Sequence, residues 1–485
     1  MILKELLLGM ETREVKGSTD IKIKGIAYDS RNIKPGYLFI CIKGEHADGH
    51  DYIDEALKRG ASALIVEEDI SIDNITIIKV DKSRRVLPMI ASKYYDNPSQ
   101  KLKLIGITGT NGKTTTAYMI KSILETWGKK TGLIGTISIQ VGERKINSTK
   151  TTPESLDLQS ILKDMVDSKV EYGIMETSSH ALEFGRVDSC EFHIGMFTNL
   201  SQDHLDFHGT MENYAEAKKR LFYMTSKANV INIDDSEGKR IAKDIKNLKV
   251  PLYTYGINEE ADIMAKDIDI SDEGIRFKLV TPKYSIDIES SIPGEFSVYN
   301  CLTAAGFAYV EGIDKTIIRE GIKKVLNVPG RAELLAIDKP YKIIIDYAHS
   351  PGGLENILTA IKGYAKGKII TVFGCGGDRD RTKRPLMGEI AGNLSDFCII
   401  TSDNPRSEDP ISIIRQIERG IQNTDCRYIC IESRKDAIRL AMEIAKTDDI
   451  ILLAGKGHET YQIRKDKVID FDEREVIKGL LEEGL

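Results

Sequence analysis

The sequence predicts an α/β protein of three successive blocks: a small N-terminal α/β block, a central block built on a mostly parallel sheet, and a C-terminal Rossmann-like block. Three observations carry that prediction. A chain of 485 residues has room for about three domains of ordinary size. Apolar strand-like runs alternate with helix-period segments along its length. The glycine-rich and polar segments follow directly on those runs, at the strand ends where open parallel sheets bind ligands.

The first block, residues 1–97, offers the strand-like runs IKIKGIAYDS and YLFICIKG, the helix pattern YIDEALKRGA and the apolar run SALIVEE. The second, residues 98–329, opens with KLKLIGITG, a buried-strand run ending in glycine. A helix pattern then starts at Lys113, with Met119, Ile120, Ile123 and Leu124 at helical spacing. Further strand runs are YGIMETSS, HIGMFTNL and ANVINID. The polar alternation over residues 268–292 predicts a β-hairpin. The third block, residues 330–485, alternates KIIIDYAHS, KIITVFGCG, FCIITSD, RYICIES and IILLAGKG with helices.

Bulk properties exclude several classes. Hydrophobic residues at 41% and charged residues at 29% are ordinary for a globular protein. No run approaches the ~20 apolar residues of a membrane span. The start MILKELLLGMETREV lacks the basic region and cleavage site of a signal peptide. A net charge of −6 disfavours a nucleic-acid partner. Seven scattered cysteines without a C-x-x-C pair point to a reducing compartment, and a cytoplasmic protein is expected.

The segment Thr108-Gly109-Thr110-Asn111-Gly112-Lys113-Thr114 joins a strand to a helix. Its glycines let backbone wrap a phosphate, and the helix start offers free N–H groups. Lys113 is placed to reach the β- and γ-phosphates and Thr114 to bind Mg²⁺. The ordinary P-loop has glycine at position 107, where this chain has Ile107, so GTPases and most kinases fit less well. A nucleotide switch would also want a guanine-reading N-K-x-D motif, which the chain lacks. Glu176 ends the YGIMETSS strand as a hard oxygen donor suited to Mg²⁺. His204 and His208 stand four apart, without the H-E-x-x-H pattern of a zinc site. Locally, Thr151-Thr152 reads as a helix cap and Asp403-Asn404-Pro405 as an Asx-Pro turn. On a helical wheel Lys218 falls in the middle of the apolar face of MENYAEAKKRLFYM. The local pattern favours a stem that snorkels to water.

The form GTNGKTT, with Glu176-Thr-Ser-Ser-His180, Asn199-Leu-Ser-Gln-Asp-His204, Tyr299-Asn300, Gly330-Arg331, Asp346-Tyr-Ala-His349 and Gly455-Lys-Gly-His-Glu459, resembles the Mur ligases and their folylpolyglutamate synthetase relatives. The resemblance spans nearly the whole chain. It implies an ATP-dependent ligase of peptidoglycan synthesis acting on UDP-MurNAc-L-Ala-D-Glu through an acyl phosphate, with ATP and two Mg²⁺. It implies a uridine-binding first block, which folate enzymes lack. Asn300 (read here as opening the helix VYNCLTAAGFAYV), Arg331 and Asp346 would frame the nucleotide, and Ser30, His46, Thr151, Thr152, Ser178 and Arg186 the UDP-sugar dipeptide. Phe184 stands where the family often has glutamine. His204 would bind a second magnesium, and Lys218 would carry a CO₂-derived carbamate beside it. For the added amino acid the resemblance implies Arg379, Asp403, Asn404, Pro405, Arg406, Gly455 and Glu459. Arg406 offers a planar fork to the extra carboxylate of meso-diaminopimelate, and Glu459 a partner for its distal ammonium. L-Lysine is the alternative, and Arg406 speaks against it. The protein is expected to act as a monomer.

Overall fold

The computed structural model describes residues 1–44, 47–465 and 467–485. His46 lies outside the described residues. The chain clusters into two compact units: residues 1–106, 129–195 and 220–227 form one, and residues 107–128, 196–219 and 228–485 the other. Among the described residues no helix is long and apolar enough to cross a membrane.

The first unit carries a five-stranded sheet in the order Glu14–Lys16, Thr76–Lys79, Ala61–Val66, Tyr37–Ile40, Gly25–Ala27. All its pairings are parallel except at the Glu14–Lys16 edge. Consecutive side chains of a strand point to opposite faces, and here both faces are buried. Leu38, Ile40, Ile65 and Ile78 pack into one cluster with Leu3, Leu6 and Ile90. Phe39, Leu64, Val66 and Ile77 pack into another with Ile53 and Ala56. That is why YLFICI and SALIVEE read as continuous apolar runs rather than alternations. The same unit holds the strand Tyr172–Glu176, parallel to Thr131–Ile134, which continues antiparallel through Ser138–Val141 to Arg144–Asn147. This last hairpin stands where the sequence suggests only turns before Thr151. Gly142, with φ +59°, supplies its left-handed turn residue.

In the second unit the strands Leu252–Gly256 and Ile263–Ser271 are parallel, and Ile263–Ser271 leads into an antiparallel meander with Gly274–Val280 and Ser285–Ser290. The expected hairpin over 268–292 is thus three strands, because both D-E-G and T-P-K-Y make turns. The helix Lys113–Thr126 begins at Gly112, whose φ of +84° turns the loop into the helix. Helix Met211–Lys219 ends one residue beyond Lys218 and tightens into a 3₁₀ turn over Arg220–Tyr223. The third block is a six-stranded sheet: Glu333–Leu334, Lys342–Asp346, Ile450–Ala454, Ile369–Phe373, Phe397–Thr401, Arg427–Ile431. Only Glu333–Leu334 is antiparallel. One face packs Ile343, Ile345, Val372, Ile451 and Leu453 on Ile438, Met442, Ile477 and Leu480 of two helices. Asp346, Gly374, Ser402 and Gly455 therefore leave the sheet at its carboxyl edge together.

Candidate active site

The phosphate loop is scaffolded by the residues that follow the strand Phe192–Phe197. Thr198 Oγ1 donates to Asn111 O at 2.6 Å, Thr110 N to Asn199 O at 2.8 Å, and Asn111 N to Asn199 Oδ1 at 3.0 Å. Gly109 is required here: a Cβ at its φ of +144° would stand 1.9 Å from Thr198 Oγ1. A Cβ at Gly112 would stand 2.4 Å from Asn300 Oδ1. Asn300 is buried in the second turn of helix Glu295–Glu311, not at its start, and lies directly against the loop. Lys113 Nζ folds back on the loop, donating to the carbonyls of Gly109 (2.9 Å) and Thr110 (2.7 Å). Thr114 is buried, and Arg331 Nη2 donates to its hydroxyl at 3.1 Å. Asp346 accepts from Ala332 N at 2.6 Å, so the Gly330–Ala332 turn is tied to that strand end. Burial raises the Asp346 carboxyl above its ordinary range, although Arg331 opposes the shift. Nucleotide candidates Thr108 to Thr114, Asn300, Arg331 and Asp346 thus gather in one region of the second unit.

Beside the loop lie Asp203, His204 and Lys218. Lys218 does not snorkel. It is 1% exposed, its Nζ donates to Gly109 O at 2.8 Å, and it sits 4.4 Å from the centre of the Tyr214 ring. Burial, and then the charge of Lys113, push its ammonium well below the ordinary lysine range, with Asp203 opposing. Burial would raise the Asp203 carboxyl, but His349, His204 and Lys383 outweigh it and hold it well below the usual range. His349 Nε2 stands 3.6 Å and His204 Nε2 3.5 Å from its Oδ2. His204 has a left-handed φ of +54°. Among the described residues no cluster of three His, Cys, Asp or Glu forms a metal cage.

In the first unit, Thr151, Thr152, Glu176, Ser178 and Arg186 converge. Thr152 Oγ1 donates to Glu176 O at 2.8 Å and accepts from Ser178 N at 3.0 Å; Arg186 Nη1 donates to Thr152 O at 3.2 Å. Thr136 links Thr151 to Glu176, its N donating to Glu176 Oε1 at 3.0 Å and its Oγ1 lying 3.1 Å from Thr151 Oγ1. The centre of the Phe184 ring lies 5.1 Å from the Arg84 guanidinium and 5.5 Å from that of Arg186. Ser30 is engaged elsewhere, donating to Glu55 Oε2 at 2.8 Å.

At the carboxyl edge of the third sheet, Asp403 and Asn404 are buried, and Arg406 has a φ of +51°. The backbone of Arg406 is paired to the strand Tyr461–Arg464 of a C-terminal hairpin: its N donates to Ile463 O at 3.1 Å and its O accepts from Lys465 N at 2.7 Å. Its Nη1 donates to Gly377 O at 2.7 Å. A Cβ at Gly377 would stand 1.9 Å from Pro405 O, and one at Gly455 2.8 Å from Asp403 Oδ2, so glycine lets these loops close on one another. Glu459 accepts from Asn404 Nδ2 at 2.8 Å and from Lys456 Nζ at 3.2 Å. Arg379 is exposed, donating to Asp378 O. The sequence reading missed Lys456, fully buried inside this cluster, and Tyr347, whose ring packs on Arg331 (4.7 Å) and His458 (4.9 Å). Lys456 and His458 stand inside the G-K-G-H-E run, which was its only local signal.

Three family descriptions match in order: the Mur ligase family catalytic domain over residues 22–95, the Mur ligase middle domain over 107–308, and the Mur ligase glutamate ligase domain over 330–457. A protein of Caldanaerobacter subterraneus subsp. tengcongensis named UDP-N-acetylmuramoyl-L-alanyl-D-glutamate–2,6-diaminopimelate ligase is 52% identical, covering 100% of both chains. The same-named protein of Clostridioides difficile is 48% identical over 99% of both. A solved structure under that name superposes with a TM-score of 0.70 at 32% identity, covering 100% of this chain and 99% of the other.

Proposed function

The chain belongs to the Mur ligase family, and from that membership we propose that it joins meso-2,6-diaminopimelate to the γ-carboxylate of D-Glu in UDP-MurNAc-L-Ala-D-Glu, a cytoplasmic step of peptidoglycan synthesis, acting as a single chain. Full-length relatives that carry this activity in their names support it. We assign residues 1–97 to the uridine nucleotide, 98–329 to ATP and 330–485 to the amino acid. The observation that carries the amino-acid choice is the Asp403–Arg406 turn, which holds a guanidinium fork over the glycine-lined loop at Gly376–Gly377.

The chemistry is phosphoryl transfer followed by acyl transfer. The D-Glu γ-carboxylate attacks the γ-phosphorus of ATP, a P–O bond forms, and ADP leaves. The amine of diaminopimelate adds to the acyl phosphate carbon. The tetrahedral adduct loses a proton and expels phosphate, leaving the amide. Lys113 exchanges the carbonyls of Gly109 and Thr110 for phosphate oxygens and neutralises their developing charge. Arg331, bonded to Thr114, would act on the same phosphates. Magnesium, when bound, neutralises phosphate charge. In the second unit its proposed donors are the Thr114 hydroxyl, His204 and, once carbamylated, Lys218; in the first unit Glu176 is, taken by itself, a carboxylate of the hard oxygen type this ion takes.

Lys218 is buried beside a second lysine, a setting that favours a neutral amine. Such an amine adds to the carbon of CO₂, forming an N–C bond and releasing one proton. The carbamate replaces a cation that would repel a metal by an anion that attracts one.

The test is ATP-dependent phosphate release with UDP-MurNAc-L-Ala-D-Glu and each amino acid in turn. Diaminopimelate should be used at least ~100-fold better than L-lysine. Equal kcat/KM for the two would overturn the amino-acid assignment.

A further inference from the structure

Arg474, the second residue of the C-terminal helix Glu473–Glu482, lies outside every group assigned above. Its guanidinium makes a forked pair with Glu333, through Nε to Oε1 at 3.1 Å and through Nη2 to Oε2. Its remaining arm, Nη1, donates to Gly457 O at 3.2 Å and to Asp472 Oδ1 at 3.3 Å. Glu333 Oε2 in turn accepts from Gly330 N at 2.6 Å. One ion pair therefore grips two segments at once: the turn that carries Arg331, and the loop that carries Lys456 and Glu459.

Those two segments touch backbone to backbone. A Cβ at Gly330 would stand 2.2 Å from His458 N, and one at Gly457 would stand 2.7 Å from Tyr347 Cβ and 2.9 Å from Gly330 O. Tyr347 N donates to Gly330 O at 2.9 Å, and its hydroxyl reaches to 3.5 Å from Glu459 Oε1. With no side chain between them, neither segment can shift without moving the other.

We propose that Arg474 and Glu333 are positioning residues that couple the nucleotide side of the site, through Arg331, to the amino-acid side, through Glu459. This rests on the substrate assignments of the proposed function. A planar guanidinium is needed because its three nitrogens send four hydrogen bonds from one plane to Glu333, Gly457 and Asp472, which an ammonium cannot reproduce. Coupling of this kind links the two affinities reciprocally.

The experiment measures KM for ATP and for diaminopimelate in the full-length protein carrying Arg474→Met, with melting temperature alongside. Both KM values should rise together, by about tenfold each, within the range typical of coupling between sites. Arg474→Lys should recover melting temperature but not the KM values. A helix staple without a coupling role would lower melting temperature and leave one or both KM values at the parental figure, and that result overturns the proposal. Should Arg474→Met fail to fold, Glu333→Gln, which keeps the acceptor for Gly330 N, gives the same readout with the same two outcomes. Failure of the unaltered protein to ligate would instead remove the proposed function.

Discussion

Two lysines lie fully inside the second unit, and their surroundings differ in kind. Lys456 has a carboxylate 3.2 Å away on Glu459 and an amide oxygen 3.4 Å away on Asn404. Lys218 has a backbone carbonyl, an aromatic face and a second lysine, with Asp203 contributing only at longer range. Burying an ammonium costs several kcal/mol unless a paired anion offsets it. At Lys456 the offset is built in, and the lysine orders Asn404 and Glu459. At Lys218 it is not, and the structure leans toward the neutral amine. The same residue type thus serves as a tether in one region and, under the proposed function, as a latent nucleophile in the other.

The largest effect should come from the unmatched lysine. Lys218→Ala should lower turnover by about 1000-fold, the upper range for removing one group that stabilises transition-state charge. It should change melting temperature little, since no buried ion pair is broken. Added formate or acetate should restore part of the rate. An active Lys218→Ala enzyme would collapse the contrast. Lys456→Met should act in the opposite sense, through stability: leaving Glu459 without its cation should cost about 3 kcal/mol, read as a lowered denaturation midpoint. An unchanged midpoint would show that Lys456 is no tether.

Arg406→Ala sharpens the division between the two regions. It should raise the diaminopimelate KM by ~100-fold while the ATP KM holds within a few-fold. Equal rises in both would mean that Arg406 supports the fold of the site rather than reading the amino acid.

The smallest effect concerns His458. Burial, then the charges of Arg331 and Arg474, push its imidazole from 6.5 down to about 3. The unfolded chain therefore takes up the proton first. The contribution of neutral His458 is complete above about 6.5 and is lost progressively as pH falls toward about 3. The stability advantage of the parent over His458→Asn should shrink by at most about 2 kcal/mol between about pH 7 and about pH 5. A constant difference across that interval would show that His458 does not titrate in this way.

What could be read from sequence was what is local. The spacing of Gly109, Gly112 and Lys113 defines a loop within six residues, and the strand and helix on either side formed as expected. The inward face of Lys218 was visible on a helical wheel, but its burial was not, because its acceptor at Gly109 lies 109 residues earlier in the chain. Thr198 and Asn199 scaffold the loop from some 88 residues away; the run from Asn199 to His204 marks the family resemblance, but its local pattern does not show that contact. Glu333 and Arg474 are 141 residues apart and are joined only by the way the third sheet closes. Asn300 was placed at a helix start because the helix was begun at Val298; Gly294 begins it instead.

The left-handed backbone at Arg406 filters substitution there before any ligand is considered. Its two backbone hydrogen bonds to the neighbouring hairpin leave little room to relax. Glycine and asparagine enter that conformation readily, whereas a β-branched residue adds about 1–2 kcal/mol of strain. Which residues can replace Arg406 is therefore limited first by backbone geometry, and only then by likeness to arginine in size or charge.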